Sequence, residues 1–297
     1  MSKRVPFTTG DLADHQWGID DALTGDPNTN ILTGDAGGSL LDFSRGGNDT
    51  FTETAPSTYT FYGDAARSLF NFARGGDDTF TTGLSSTTTT AYGDAGDDMS
   101  DHSKGGNDTF NSGLARQVVD TFYGDAGGNM LGHAHGGDDT FLTQTKQGAD
   151  HTFYGDAGGE MSDRSKGGND TFEGSKEANN IFYGDAGSNM SGNARGGDDS
   201  FTGKSDSFNT FYGDAGGDMS DDSRGGNDTF TGRSFPPTLS SATPAATCLA
   251  MLWAATTITQ TRLGISGAKL SMAMRAAIFP VLPRAATTPS RAWVGPG

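Results

Sequence analysis

The chain has 297 residues, of which 46 are Gly, 37 are acidic and 20 are basic, for a net charge of −17. That charge argues against nucleic acid and anionic membrane surfaces as partners, because both need clustered Lys and Arg. Nothing reaches the 18 or so consecutive apolar residues of a membrane span, and the single Cys248 excludes an internal disulfide and a cysteine-based zinc site.

Residues 1–30 lack the basic, apolar and small-residue pattern of a secretory signal peptide. They are too short for an enzyme domain and read as an N-terminal cap or leader, with Trp17 and Ile19 covering the first coil.

Residues 31–233 are an array of seven repeats. Tyr-Gly-Asp-Ala starts at Tyr62, Tyr92, Tyr123, Tyr154, Tyr183 and Tyr212, with a Thr variant at Thr33, so the steps run from 29 to 31. A second block, Gly-Gly-(Asn/Asp)-Asp-(Thr/Ser)-Phe, begins at a constant offset of thirteen from each start, at Gly46, Gly75, Gly105, Gly136, Gly167, Gly196 and Gly225. All variation in length falls between the Phe of this block and the next Tyr, in stretches such as Asn111–Thr121 and Gly203–Thr210.

Each repeat carries apolar residues it cannot bury alone. One column is Leu40, Leu69, Met99, Met130, Met161, Met190 and Met219. Another is Phe51, Phe80, Phe110, Phe141, Phe172, Phe201 and Phe230. Stacked coils bury them, each residue resting on its equivalent about 4.8 Å away. Gly supplies positive φ, and Asx side chains bond nearby backbone, so the blocks between are tight turns. Short β pieces between turns at a fixed period predict an all-β fold, a parallel β-roll or β-helix solenoid of about seven coils.

Two Asp columns run unchanged through all seven repeats. The first is Asp35, Asp64, Asp94, Asp125, Asp156, Asp185 and Asp214; the second is Asp49, Asp78, Asp108, Asp139, Asp170, Asp199 and Asp228. A third column always carries an oxygen, from Ser39, Ser68, Asp98, Asn129, Glu160, Asn189 and Asp218. Stacking places like charges about 5 Å apart, at about 1 kcal/mol per neighbouring pair in water and about 3–4 kcal/mol at an effective dielectric of 20. A hard divalent cation offsets this, and calcium suits carboxylates together with the carbonyls of glycine turns. With one Cys and five His, soft metals fit poorly. The alternative is that these Asp residues form turns without a metal.

Gly93-Asp94-Ala95-Gly96-Asp97-Asp98-Met99 and Gly105-Gly106-Asn107-Asp108-Thr109-Phe110 resemble the Gly-Gly-x-Gly-x-Asp-x-U-x nonapeptide of the RTX (repeats-in-toxin) family, and similar halves recur over 34–230. The resemblance implies a calcium-bound parallel β-roll outside the cell. Its sixth-position Asp corresponds to Asp49, Asp78, Asp108, Asp139, Asp170, Asp199 and Asp228, and in the first half to Asp98 and Asp218 only. One Ca2+ per repeat at the Gly-Gly-Asn-Asp turn is the expected stoichiometry. The family packs its nonapeptides back to back, whereas the coils here recur at the longer step of 29 to 31. RTX-like proteins carry a C-terminal secretion signal, which implies an extracellular or cell-surface location reached by type I secretion.

Other features have plainer readings. The sequons beginning at Asn48, Asn107, Asn169 and Asn227 read as turns, and His133 and His135 as solvated. No Ser/His/Asp or paired-carboxylate set stands apart from the repeats, so no enzyme activity is expected.

Residues 234–297 differ in kind. Residues 1–233 hold all 37 acidic against 15 basic residues, a net of −22; the last 64 hold five basic and no acidic residues, with 7 of the 10 Pro and 4 of the 46 Gly. The segment reads as the repeat gene displaced by one base. With one choice of codons, Gly-Asp-Ala-Gly-Gly-Asp-Met-Ser-Gly read one base later gives Ala-Thr-Pro-Ala-Ala-Thr-Cys-Leu, which is Ala242–Leu249. The same shift converts Tyr-Gly-Asp-Ala-Gly-Gly-Asp into Met272–Ala277, and Gly-Gly-Asn-Asp-Thr-Phe-Thr into Ala285–Arg291. The spacing also holds: Gly225 to Ala254 is a step of 29, and Ala254 to Ala285 is one of 31. A disordered tail of two out-of-frame repeats is therefore expected. It would leave the coil near Phe230 uncapped and open to self-association. A genuine Pro/Ala-rich tail is the alternative. Three functions stay open at this point: a calcium-folded secreted structural or interaction module, a calcium-independent adhesive or spacer solenoid, and the repeat tail of a secreted hydrolase.

Overall fold

A computed structural model describes residues 3–5, 7–144, 148–232 and 256–259. Strands β1 (Lys3–Arg4) and β2 (Gln16–Trp17) pair in parallel. After them the chain alternates between two long sheets. It passes through β3 (Ala22–Gly25), β4 (Ile31–Thr33), β5 (Thr50–Glu53), β6 (Thr58–Tyr62), β7 (Thr79–Thr82) and β8 (Thr88–Tyr92). It continues with β9 (Thr109–Ser112), β10 (Val119–Tyr123), β11 (Thr140–Thr143), β12 (Ala149–Tyr154), β13 (Thr171–Glu173) and β14 (Ala178–Tyr183). The last strands are β15 (Ser200–Gly203), β16 (Phe208–Tyr212), β17 (Thr229–Gly232) and β18 (Thr256–Thr259).

Even-numbered strands β4 to β16 form a seven-stranded sheet; odd-numbered strands β3 to β17, with β18 at the edge, form a nine-stranded one. All pairings from β3 to β17 are parallel and join a residue to its equivalent one repeat later, as in Phe80↔Phe110 and Tyr92↔Tyr123. The fold is a parallel β-solenoid of about seven turns, as the repeat spacing predicts. No helix among the described residues is long and apolar enough to cross a membrane.

The two repeat blocks explain the cross-section. In each strand ending at a Tyr, residues alternate between interior and surface, as in β6 with Tyr59 and Phe61 buried and Thr58 exposed. Three further columns touch through single bridges: Ala36 to Ala215, Leu40 to Met219, and an outward column running Arg45, Arg74, Lys104, His135, Lys166, Arg195, Arg224. The interior holds two main apolar stacks. One contains the Ala and Leu/Met columns. The other contains the Phe columns, with neighbouring rings such as Phe80 and Phe110 at 4.7 Å and Phe110 and Phe141 at 4.9 Å.

The N-terminal segment adds a degenerate coil in register with the rest. Thr8 bridges Ala36, Leu12 bridges Leu40 and Trp17 bridges Arg45, while β3 pairs with β5. Leu12 closes the Leu/Met column at 1% exposure, whereas Trp17 heads the outward cation column and is 38% exposed. Ile19 is half-buried.

Most of the tail, 233–255 and 260–297, lies outside the described residues, and so does the expectation of its disorder. Within it, β18 pairs antiparallel with β17 through Thr229↔Thr259 and Gly232↔Thr256. On that sheet the last coil has a strand beside it, where the sequence predicts an open edge. In the other sheet β16 is the edge strand among the described residues.

Candidate metal centre

Both Asp columns are buried: every member from Asp35 to Asp228 is 3% exposed or less. Their positions follow from the turns that flank them. In the first column each carboxylate accepts the amide of the second Gly in its own Gly-Gly pair, 12 residues on. Gly47 donates to Asp35 at 2.7 Å, Gly76 to Asp64 at 2.9 Å, and Gly226 to Asp214 at 2.6 Å. In the second column each carboxylate accepts the amide of its equivalent in the preceding coil. Asp78 donates to Asp108 Oδ1 at 2.6 Å, Asp108 to Asp139 Oδ1 at 2.6 Å, and Asp139 to Asp170 Oδ1 at 2.7 Å. One oxygen of each carboxylate thus holds the turns together.

The other oxygen has no such role in the second column. Oδ2 of Asp49, Asp78, Asp108, Asp139, Asp170, Asp199 and Asp228 is buried without a hydrogen-bond partner, as is one oxygen each of Asp35, Asp64, Asp125, Asp156 and Asp185. Leaving a buried acceptor unmet costs about 1–3 kcal/mol, and more when it is charged.

The surroundings of these oxygens are built from glycine. A Cβ on Gly93 would lie 1.8 Å from Asp108 Oδ2 and 1.9 Å from the Gly124 carbonyl oxygen; on Gly124 it would lie 1.9 Å from both Asp139 Oδ2 and Gly155 O. The same holds from Gly34 to Gly184, so in six successive coils a carboxylate oxygen and a backbone carbonyl of the next coil converge where no side chain can stand.

The electrostatics are one-sided. Burial, then neighbouring carboxylates, pushes Asp49 and Asp228 up to about 8. Burial moves Asp156 to about 7, and Asp35, Asp94 and Asp214 to about 6. Asp64, Asp78, Asp108, Asp125, Asp139, Asp170, Asp185 and Asp199 are raised well above the usual carboxylate range, by burial first and then by each other. No Lys or Arg is among the main causes of these shifts. The cations of the outward column are exposed, and the two ion pairs among the described residues, His151–Asp120 and Lys204–Glu173, lie elsewhere.

The donor set therefore fits a hard cation: anionic oxygens without donors, carbonyl oxygens beside them, and no nitrogen or sulfur ligand. Side chains alone do not enclose an ion, since no group of three or more His, Cys, Asp or Glu among the described residues is close enough to hold one. The remaining ligands of such a site would be carbonyls such as those of Gly93 and Gly124. Asp98 and Asp218 sit apart from the buried columns. Asp98 is half-buried and its Oδ1 accepts from Asn129 N at 2.7 Å and Nδ2 at 3.1 Å; Asp218 is exposed.

Sequence reasoning missed a second polar interior. The column Tyr59, Thr89, Asp120, His151, Asn180, Asn209 faces inward, two residues before the buried Phe or Ala of its strand. Ser112 Oγ donates to Asp120 Oδ2 at 2.7 Å, His151 Nδ1 lies 3.1 Å from the same oxygen, and Ser175 Oγ lies 3.5 Å from His151 Nε2. Period-two alternation outward from Phe122 and Phe153 is the signal that would have placed Asp120 and His151 inside. The order Asp–His–Ser resembles a nucleophilic relay. Ser175 borders a surface cleft of about 450 Å³, shared with Thr143, Glu173 and Lys204. Yet Ser175 is 1% exposed and its Oγ is turned toward His151, so the set reads as a buried polar core, in which Asp120 Oδ1 is left without a hydrogen-bond partner.

No family model, curated protein or solved structure matches the chain, so its likeness to RTX repeats rests on the motifs themselves and on the parallel solenoid they share.

Proposed function

We propose that the chain is an RTX-type calcium-binding solenoid, a secreted structural or interaction module whose folding is driven by the ion. One observation carries this reading: in the second Asp column every Oδ2 is buried and unpartnered, and the six from Asp49 to Asp199 are set beside a glycine carbonyl. An ion bound there would neutralise paired carboxylates from both columns, and its binding free energy would become folding free energy. Before binding, charge repulsion and the chain entropy of glycine hold the array open. Millimolar calcium outside cells would keep it rigid, which supports an extracellular or cell-surface setting.

A second reading is supported by the amide bonds to both columns, which fasten the turns without a metal. It gives a calcium-independent adhesive or spacer solenoid. Far-UV circular dichroism with chelator and then with millimolar calcium separates the two. The calcium reading expects a disordered spectrum turning to β, with calorimetric uptake near one ion per repeat. A β spectrum in chelator at neutral pH, unchanged by calcium, supports the spacer and overturns the first reading.

A further inference from the structure

The seven-stranded sheet carries a second ladder on its outer face. Tyr62, Tyr92, Tyr123, Tyr154, Tyr183 and Tyr212 pair in register, strand to strand. All six are half-buried. Their ring centroids are 5.0, 4.8, 4.7, 4.8 and 4.7 Å apart in chain order, with interplanar angles of 3–6°. The only other tyrosine of the seven, Tyr59, is fully buried.

The coils are shaped to hold these rings. A Cβ on Gly96 would lie 2.6 Å from Tyr62 Cε1; Gly127, Gly158, Gly187 and Gly216 stand in the same relation to Tyr92, Tyr123, Tyr154 and Tyr183. Where the preceding coil carries Thr33 and no ring, the equivalent position is Ala66. Glycine thus appears wherever a phenol must lie across the next coil.

We propose that this tyrosine column is a site of oxidative cross-linking, in which a one-electron oxidant joins neighbouring coils through dityrosine. Each of two adjacent phenols gives one electron to the oxidant and its hydroxyl proton to water. The two phenoxyl radicals then form one carbon–carbon bond between ring positions ortho to oxygen. The two displaced ring hydrogens move to the oxygens and restore the hydroxyls. Two oxidant equivalents are reduced and two protons are released per link. Holding the partners side by side makes the coupling unimolecular, so it outruns encounter between chains. Joining two ortho carbons turns the stacked rings edge to edge, for which their half-exposed place on the outer face leaves one side open. The proposal does not depend on calcium occupying the Asp columns.

The test uses the full chain in whichever of the calcium-loaded or calcium-free states gives the β spectrum. It is oxidised with a photo-excited ruthenium complex and persulfate, read by dityrosine fluorescence, and digested for mass spectrometry. The folded chain should give several-fold more dityrosine than the same chain in urea. Its yield per chain should not change with protein concentration, and its links should be confined to the five neighbouring pairs, without Tyr59. Tyr123→Phe keeps the ring and should remove the Tyr92–Tyr123 and Tyr123–Tyr154 links while sparing the other three; Tyr183→Phe should do the same at the far end. Links that join non-neighbours, a yield that rises with concentration, or no excess over the unfolded chain would overturn the proposal.

Discussion

Gly93 shows how much a single hydrogen atom decides in this molecule. Its missing side chain is the space in which Asp108 Oδ2 and Gly124 O meet. Gly93→Ala would force either the carboxylate or the next coil's backbone aside, so unfolding in denaturant should show a loss of about 3 kcal/mol or more, at the upper end for a point change. Gly113→Ala is the comparison: there a Cβ meets nothing closer than Thr82 O at 3.2 Å, and the cost should stay below about 1 kcal/mol. Equal effects at the two positions would mean that the cradle geometry is wrong. The sequence showed both glycines, and only the repeat made Gly93 stand out. What it could not show is which atom each glycine makes room for, since that atom arrives from another coil.

Among the elements, the outward column beside the cations has a pattern that spacing alone left unexplained. It reads Asp20, Asn48, Asp77, Asn107, Asp138, Asn169, Asp198, Asn227, an unbroken alternation. Each side-chain oxygen from Asp20 to Asp198 accepts the amide of the next coil, as Asp77 does from Asn107 at 2.8 Å and Asn107 from Asp138 at 2.7 Å. Asn and Asp serve equally as acceptors, so hydrogen bonding does not require alternation; charge does. A neutral residue between every two carboxylates doubles the distance between like charges. Asn107→Asp would put three carboxylates in a row and should lower stability by about 1 kcal/mol at low salt, with the loss shrinking as salt is added. A loss that ignores salt would point to packing instead. The strands themselves were legible, because Phe recurs at a fixed offset from Gly-Gly. The inward column holding Asp120 and His151 was not, because its members share neither charge nor size and so make no visible repeat.

For the whole molecule, the buried carboxylates set a pH dependence that calcium would reverse. Their folded pKa values lie above the ordinary 3.8, so without a cation the folded chain binds more protons than the unfolded chain, and stability falls as pH rises. The loss begins near pH 4, where unfolded Asp ionises, and continues to at least about 8, where Asp49 and Asp228 ionise in the folded state. A residue such as Asp94, moved to about 6, accounts for about 3 kcal/mol of it. In chelator the chain should therefore hold more β structure and melt higher at pH 4 than at pH 8, where little folded chain is left to melt, and added calcium should reverse that order. A chelated chain that melts higher at pH 8 would exclude this reading. Of the overall architecture, the coil number and the parallel register followed from the repeat; the burial of both Asp columns did not, because Asp is ordinarily an exposed residue. The degenerate coil of residues 8–30 did not, because Thr8, Leu12 and Trp17 match the array in position and not in residue type.

One property of the repeat bears on use. The distance from Tyr to Gly-Gly never changes, while the step from each Phe to the next Tyr takes values from 11 to 13. These stretches all leave the odd-numbered sheet and enter the even-numbered one, so they project from the same edge of every coil, like the teeth of a comb about 4.8 Å apart. A foreign peptide grafted into several of them would be shown as an evenly pitched row, on a coil whose register is set by its other, constant half.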